Sequence, residues 1–226
     1  MNVLILGATG MLGQGALRES LADSQVKRVV TLGRSPTGQQ HPKLRELVCP
    51  DLLDLSRVTS ELSGLDACFF CLGVSSAGMS EAEYTRVTYD IAMSVGNTLV
   101  TLNPNMTFVF VSGLGADATE RGRVMWARVK GRAENALRRL PFKAVYVIRP
   151  AFILPLHGIK SRTAAYRFFY SVTRPFYPLF KMLMPRYVTT TERLGQAMLA
   201  LARSGYSKPI LETADVTAVL ERQASR

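Results

Sequence analysis

The chain has 226 residues, 47% of them hydrophobic, and a formal net charge of +11. That is the length of one α/β domain with an ordinary globular core. No apolar run reaches spanning length and no basic leader precedes the first strand. Neither the three cysteines nor the two histidines have the spacing of a disulfide scaffold or metal site, so the expected localisation is cytoplasmic.

Apolar runs and amphipathic stretches alternate along the chain. The predicted strands are 2–6, 28–32, 45–49, 67–71, 107–111, 144–148 and 209–212. The predicted helices are 11–22, 55–62, 80–102, 121–139, 162–173, 190–203 and 214–222. This order implies an α/β fold, a doubly wound and mainly parallel sheet with helices on both faces. Residues 151–189 break the alternation. They are aromatic, basic and proline-rich, and are read as a small helical substrate-side lobe within a single domain, 1–226.

The first strand runs directly into Gly7-Ala8-Thr9-Gly10-Met11-Leu12-Gly13. A strand, a glycine turn and a helix start make a phosphate cradle. Glycine permits the turn, lets the backbone approach a pyrophosphate and lets the helix pack close to the strand. The helix N-terminus adds free N–H groups and a positive dipole end. After the second strand come Gly33, Arg34 and Ser35, with no acid. An acid there accepts from a free ribose 2′-OH, whereas a guanidinium and a hydroxyl suit a 2′-phosphate, so NADP(H) is preferred over NAD(H). Asp51 and Leu52 close the third strand, where a carboxylate can accept from an adenine amino group and a leucine can cover the ring. Asp51 can equally cap a helix. Leu72 and Gly73 end the fourth strand, where backbone can pass close to the adenosine ribose and pyrophosphate.

Cys68 and Cys71 have redox-motif spacing but lie in a strand-like run, where period two sends them to opposite faces. No acid occurs between Glu134 and Glu192, so the positive charge is concentrated there. A solvated face, an anionic membrane surface and an acidic ligand all remain open, with a peripheral membrane position among them. No nucleic-acid-binding pattern is present, and no nucleic-acid partner is expected. Residues 162–187 interleave aromatic, apolar and basic residues, with prolines at 175, 178 and 185 that exclude one long helix. A lid over a hydrophobic small-molecule substrate, a membrane contact and a dimer interface are the alternatives.

These landmarks resemble the extended and atypical short-chain dehydrogenase/reductases, which have an NAD(P)-binding Rossmann domain. The resemblance rests on GATGMLG, Arg34, Asp51-Leu52, the CLG at 71–73 and VSGLGAD at 111–117. It continues in Lys130-Gly131 with Glu134 and in Arg149-Pro150, and returns in 189–197. The Tat-interacting oxidoreductase-like branch is the most similar. The family's hydride-transfer members carry a Tyr-x-x-x-Lys pair on one helix face and a strand-end serine. The resemblance implies that Lys130 holds the nicotinamide ribose and that Trp126 stands where the tyrosine would be. It also implies that Ser112 matches the first serine of a pair whose second falls on Gly113. Indole N–H is not acidic enough for proton transfer near neutral pH. Three readings stay open: a reductase with another donor such as Tyr166, Tyr170 or water; an NADP(H)-binding protein without chemistry; and Trp126 as a pocket wall. Arg149 is either a second phosphate contact or a structural arginine.

Overall fold

The computed structural model describes residues 1–159 and 186–224. Seven strands form one sheet: β1 (Asn2–Leu6), β2 (Arg28–Gly33), β3 (Leu44–Val48), β4 (Ala67–Phe70), β5 (Thr107–Val111), β6 (Ala144–Arg149) and, after a short β7–β8 pair, β9 (Ile210–Glu212). The order is β3-β2-β1-β4-β5-β6-β9, and every pairing is parallel. Both faces are covered, so β1, β4 and β5 are buried almost throughout.

Alternation divides the core in two. Val3, Ile5, Phe69, Val109 and Ile148 face α1 (Met11–Ala22), α5 (Thr191–Ser204) and α6 (Thr213–Ala224). Leu4, Leu6, Phe70, Phe108 and Phe110 face α3 (Ile91–Leu102) and α4 (Met125–Arg138). Helix α2 (Glu81–Thr85) reaches α3 through a single π-helical stretch, Arg86–Asp90, so the predicted helix 80–102 is continuous but locally widened. Ser80 and Glu83 form a reciprocal capping box at its start. Cys68 and Cys71 pack into opposite cores as free thiols. Burial pushes Cys71 up to about 12 and Cys68 also upward, so neither is a ready thiolate.

The predicted helix 55–62 is corrected to a short 3-10 turn, Thr59–Leu62. Its apolar spacing is real, since Leu52, Leu55, Val58 and Leu62 are all buried. The side chains of Asp51 and Asp54 accept from the backbone N–H groups of Leu53 and Ser56, and these Asx turns displace a regular helix. The predicted helix 162–173 lies outside the described residues, as do Tyr166, Tyr170 and most of 162–187. The described ends of the unusual segment form a parallel pair that the sequence reading missed, β7 (Phe152–Leu154) with β8 (Val188–Thr190).

Helix α4 also begins later than expected, at Met125 rather than 121, because Asp117 organises the preceding loop. Its carboxylate accepts from Thr119 N and Oγ1, Arg121 N and Gly122 N. These donors hold its pKa below the usual carboxylate range. The loop then docks on α4 at Gly131, where an added Cβ would stand 1.7 Å from Asp117 O. Gly131→Ala is therefore expected to cost about 2 kcal/mol or more in urea unfolding, by overpacking. Gly73→Ala, where nothing lies within 4 Å of the added Cβ, should change stability by less than about 0.5 kcal/mol.

Candidate functional site

The site lies at the carboxyl ends of β1 and β4, where the strand order turns back on itself and α/β sheets open a crevice. Gly7 has φ +74, and a Cβ there would stand 2.7 Å from Cys71 O. Gly10 N donates to Gly7 O at 2.8 Å, closing the turn. At Gly13 an added Cβ would stand 2.1 Å from Gly7 O, so the helix start presses directly on the turn. Gly10 caps α1 without a side-chain hydrogen bond, and no acid occupies the first turn. The N–H groups of Met11, Leu12 and Gly13, which have no intrahelical acceptors, thus form a donor cluster at a positive dipole end. Thr9 belongs to the same turn, and its carbonyl accepts from Gln14 Nε2 at 3.1 Å.

Arg34 and Ser35 are exposed just beyond β2. The sequence reading missed Glu46, a carboxylate on the neighbouring strand β3, two strands' width from β1. Its Oε1 accepts from Thr37 N at 2.6 Å and also from Thr37 Oγ1, so it serves to fold the loop after Arg34. Asp51 is exposed; its Oδ1 accepts from Leu53 N, and Arg86 stands 4.0 Å from its Oδ2. The Leu52 side chain is buried in the α3-side core, rather than standing free at the strand end. Leu72 is half-buried, and the space above Gly73 is open.

The second group lies on β5 and α4. Phe110 is on β5, and Ser112 follows one residue beyond its end, its N–H donating to Ile148 O of β6 at 2.8 Å. Ser112 is 8% exposed and its Oγ has no hydrogen-bond partner among the described residues. The Nζ of half-buried Lys130 lies 5.7 Å from the centroid of the Phe110 ring, and among the described residues it has no salt bridge or hydrogen bond. Phe110 pairs in register with Phe70, and Phe70 with Leu6. At the usual strand spacing, Phe110, beneath Lys130, is therefore about 10 Å across the sheet from Leu6, the residue preceding the glycine turn. Trp126 lies one helical turn before Lys130 and packs over the loop glycines. A Cβ on Gly115 would meet its Cη2 at 3.5 Å, and one on Gly113 its Cζ3 at 4.0 Å.

Arg149 is resolved in favour of the structural alternative. Its Nε donates to both carboxylate oxygens of Glu134 at 3.0 and 3.1 Å, and its Nη2 contacts Oε2. Glu134 is fully buried. One turn along α4 from Lys130, it is engaged by Arg149 and leaves the lysine without a carboxylate partner. Desolvation consequently pulls Lys130 down to about 8, with a smaller opposing pull from Glu134.

An uncapped helix start, a turn that admits no side chains, an unpartnered hydroxyl and a desolvated ammonium fit a dinucleotide better than they fit water alone. The donor cluster suits phosphates; Ser112 follows β5, the strand beside β4, and Lys130 stands above Phe110 of that strand. A separate open cleft of about 630 Å³ lies at the opposite, amino-terminal ends of the central strands, lined by Met1, Asp66, Lys143 and Arg203 among others. It contains none of these features. Among the described residues no cluster could hold a metal, and no helix is long and apolar enough to cross a membrane.

The sheet order and these landmarks define an atypical, extended short-chain dehydrogenase/reductase with a Rossmann fold. Residues 3–118 match the NAD dependent epimerase/dehydratase family, and the chain belongs to it. Among curated relatives, "Protein fmp52, mitochondrial" of Emericella nidulans is 26% identical over 159 residues, which cover 67% of this chain and 66% of that protein. The "Leucinostatins biosynthesis cluster protein T" of Purpureocillium lilacinum is 26% identical over 232 residues, covering 89% of this chain and 85% of that protein. Two solved structures share the fold. An oxidoreductase of the short chain dehydrogenase/reductase family from Burkholderia thailandensis has a TM-score of 0.66 at 16% identity, over 99% of this chain and 96% of that one. The Bordetella bronchiseptica enzyme WbmF, solved in complex with NAD+, has a TM-score of 0.68 at 15% identity, over 99% and 78%.

Lys130 holds its charge at an energetic cost, because a pKa lowered from 10.5 to about 8 corresponds to about 3 kcal/mol of disfavoured ammonium. The penalty is present below pH 8, where folded and unfolded chains both carry the proton. It fades as pH rises from about 8 toward 10.5. Lys130→Met should therefore raise the Tm of the dinucleotide-free protein at pH 7, and the gain should shrink at pH 10. A Tm that falls at pH 7 would contradict the desolvation account.

Proposed function

We propose that the chain is an NADP(H)-binding oxidoreductase-like protein, with a hydrophobic small molecule as substrate. The observation that carries this reading is the α1 N-terminus, uncapped and pressed against a turn that has space for backbone alone. Gly7, Thr9, Gly10, Met11, Leu12 and Gly13 would cradle the pyrophosphate. Leu72 and Gly73 would flank the adenosine, with Asp51 at the adenine edge and backbone beside buried Leu52. Lys130 would donate to the nicotinamide ribose, and Ser112 would face the substrate carbonyl. The bound dinucleotide would supply hydride. Preference for the 2′-phosphate rests on Arg34 and Ser35, exposed at the strand end while Glu46 is occupied by Thr37.

Trp126 favours a second reading, in which the chain holds the dinucleotide as a regulatory or assembly protein without turnover. Its indole occupies the helix turn before Lys130, where the family's proton donor would stand, and it cannot itself supply a proton. On the compartment, the fmp52 relatives are mitochondrial by name, and the cytoplasmic expectation draws nothing from them.

Titration with NADPH should quench Trp126, the single tryptophan, with energy transfer to the dihydronicotinamide. Unchanged emission at saturation would remove Trp126 from the site. Arg34→Glu should weaken NADPH by about 100-fold or more and NADH by only a few-fold, as loss of a charge-assisted pair and gain of a like charge require. Equal losses would undo the cofactor preference.

A further inference from the structure

A carbonyl reduced at this site needs a proton, and the residue one turn before Lys130, where the family's donor would stand, is an indole. Two polar groups stand close by without partners. Ser112, one residue beyond the end of β5, has an unpartnered Oγ, and Lys130 Nζ lies 5.7 Å from the ring centroid of Phe110, two residues earlier in the chain. The usual partner of a desolvated ammonium is a carboxylate. Here the candidate, Glu134, is engaged by Arg149 from β6 through three contacts. Arg128 and Arg132, the cations two residues to either side on α4, are directed elsewhere: Arg128 donates to Gly122 O and Glu81 Oε2, and Arg132 stacks on Tyr89 at 3.9 Å. Lys130 is therefore a proton carrier with no internal acceptor.

We propose that Lys130 is the proton donor for carbonyl reduction in this chain, with Ser112 Oγ donating the second hydrogen bond to the same carbonyl oxygen. The inference rests on the dinucleotide reading above. A bound reduced dinucleotide supplies the hydride for the carbonyl carbon and leaves oxidised. As the C=O π pair moves onto oxygen, Lys130 Nζ gives up one N–H proton to form the new O–H bond. The neutral amine then takes a proton from water. Desolvation suits this role: an amine near pKa 8 is mostly protonated at neutral pH yet gives up its proton more readily than an ordinary lysine. The indole of Trp126 fixes one wall and takes no part in the transfer.

Lys130→Arg tests this directly, since arginine keeps the charge and the donors toward a ribose but does not lose its proton. NADPH binding, read by energy transfer from Trp126, should stay within about 3-fold, while NADPH-dependent reduction of phenanthrenequinone or 4-nitrobenzaldehyde falls at least about 100-fold. Reduction within a few-fold of the unaltered protein overturns the proposal. So does unaltered protein that binds NADPH yet reduces neither probe, an outcome that leaves the dinucleotide reading standing. Loss of Trp126 energy transfer in the unaltered protein would instead count against that reading. Competitive acetylation followed by mass spectrometry supplies a measurement independent of activity and of any substitution. Lys130 in the dinucleotide-free protein should label with a midpoint near pH 8, and reduction by the unaltered protein should decline above the same pH. A labelling midpoint near 10.5 overturns the assignment.

Discussion

The structure depends on a contact that leaves no volume for side chains. Helix α1 presses its start on Gly7 through Gly13, and its next turn meets α5, where a Cβ on Gly15 would stand 2.6 Å from Thr191 O. From the other side, a Cβ on Gly195 would stand 3.0 Å from Gly15 O. The helix is held at both its strand and its neighbour by backbone, so its free N–H groups are fixed in place. A dipole end is useful to a ligand only if the ligand finds it in one position.

The other half of the site is organised by charge. Burying Glu134 is costly unless its oxygens are satisfied, and Arg149 satisfies them while tying α4 to β6. The same pairing removes the one carboxylate on Lys130's own helix that would otherwise neutralise it. A structural ion pair thus shapes the electrostatic setting of a neighbouring amine without touching it. Asp117 plays a comparable part for the loop before α4, where its carboxylate gathers four donors.

Much of this was legible in the sequence, and the reasons differ from place to place. β1, β4 and β5 stand out because strands buried on both faces are unbroken apolar runs. The glycine turn is readable because its geometry demands one residue type. Cys68 and Cys71 were placed on opposite faces by alternation alone. Pairings between distant residues were not readable. Nothing local says that Arg149 is held by Glu134 rather than by a phosphate, or that Glu46 is occupied by Thr37. Residues 55–62 misled because buried leucines recur at helical spacing through a series of Asx and 3-10 turns as they do through a helix. The β7–β8 pair was invisible because each strand has three residues, too short for a periodicity.

That small pair has a topological consequence. Leu154 lies opposite Thr190 in register, and Phe152 N donates to Tyr187 O, so the chain leaves and returns at one place beside the start of α5. A segment whose ends are already joined can vary in length at little cost, since doubling a loop adds only about 0.6 kcal/mol of closure entropy. Between the two strands the sequence can be exchanged, lengthened or shortened while β9 and α5 keep their positions.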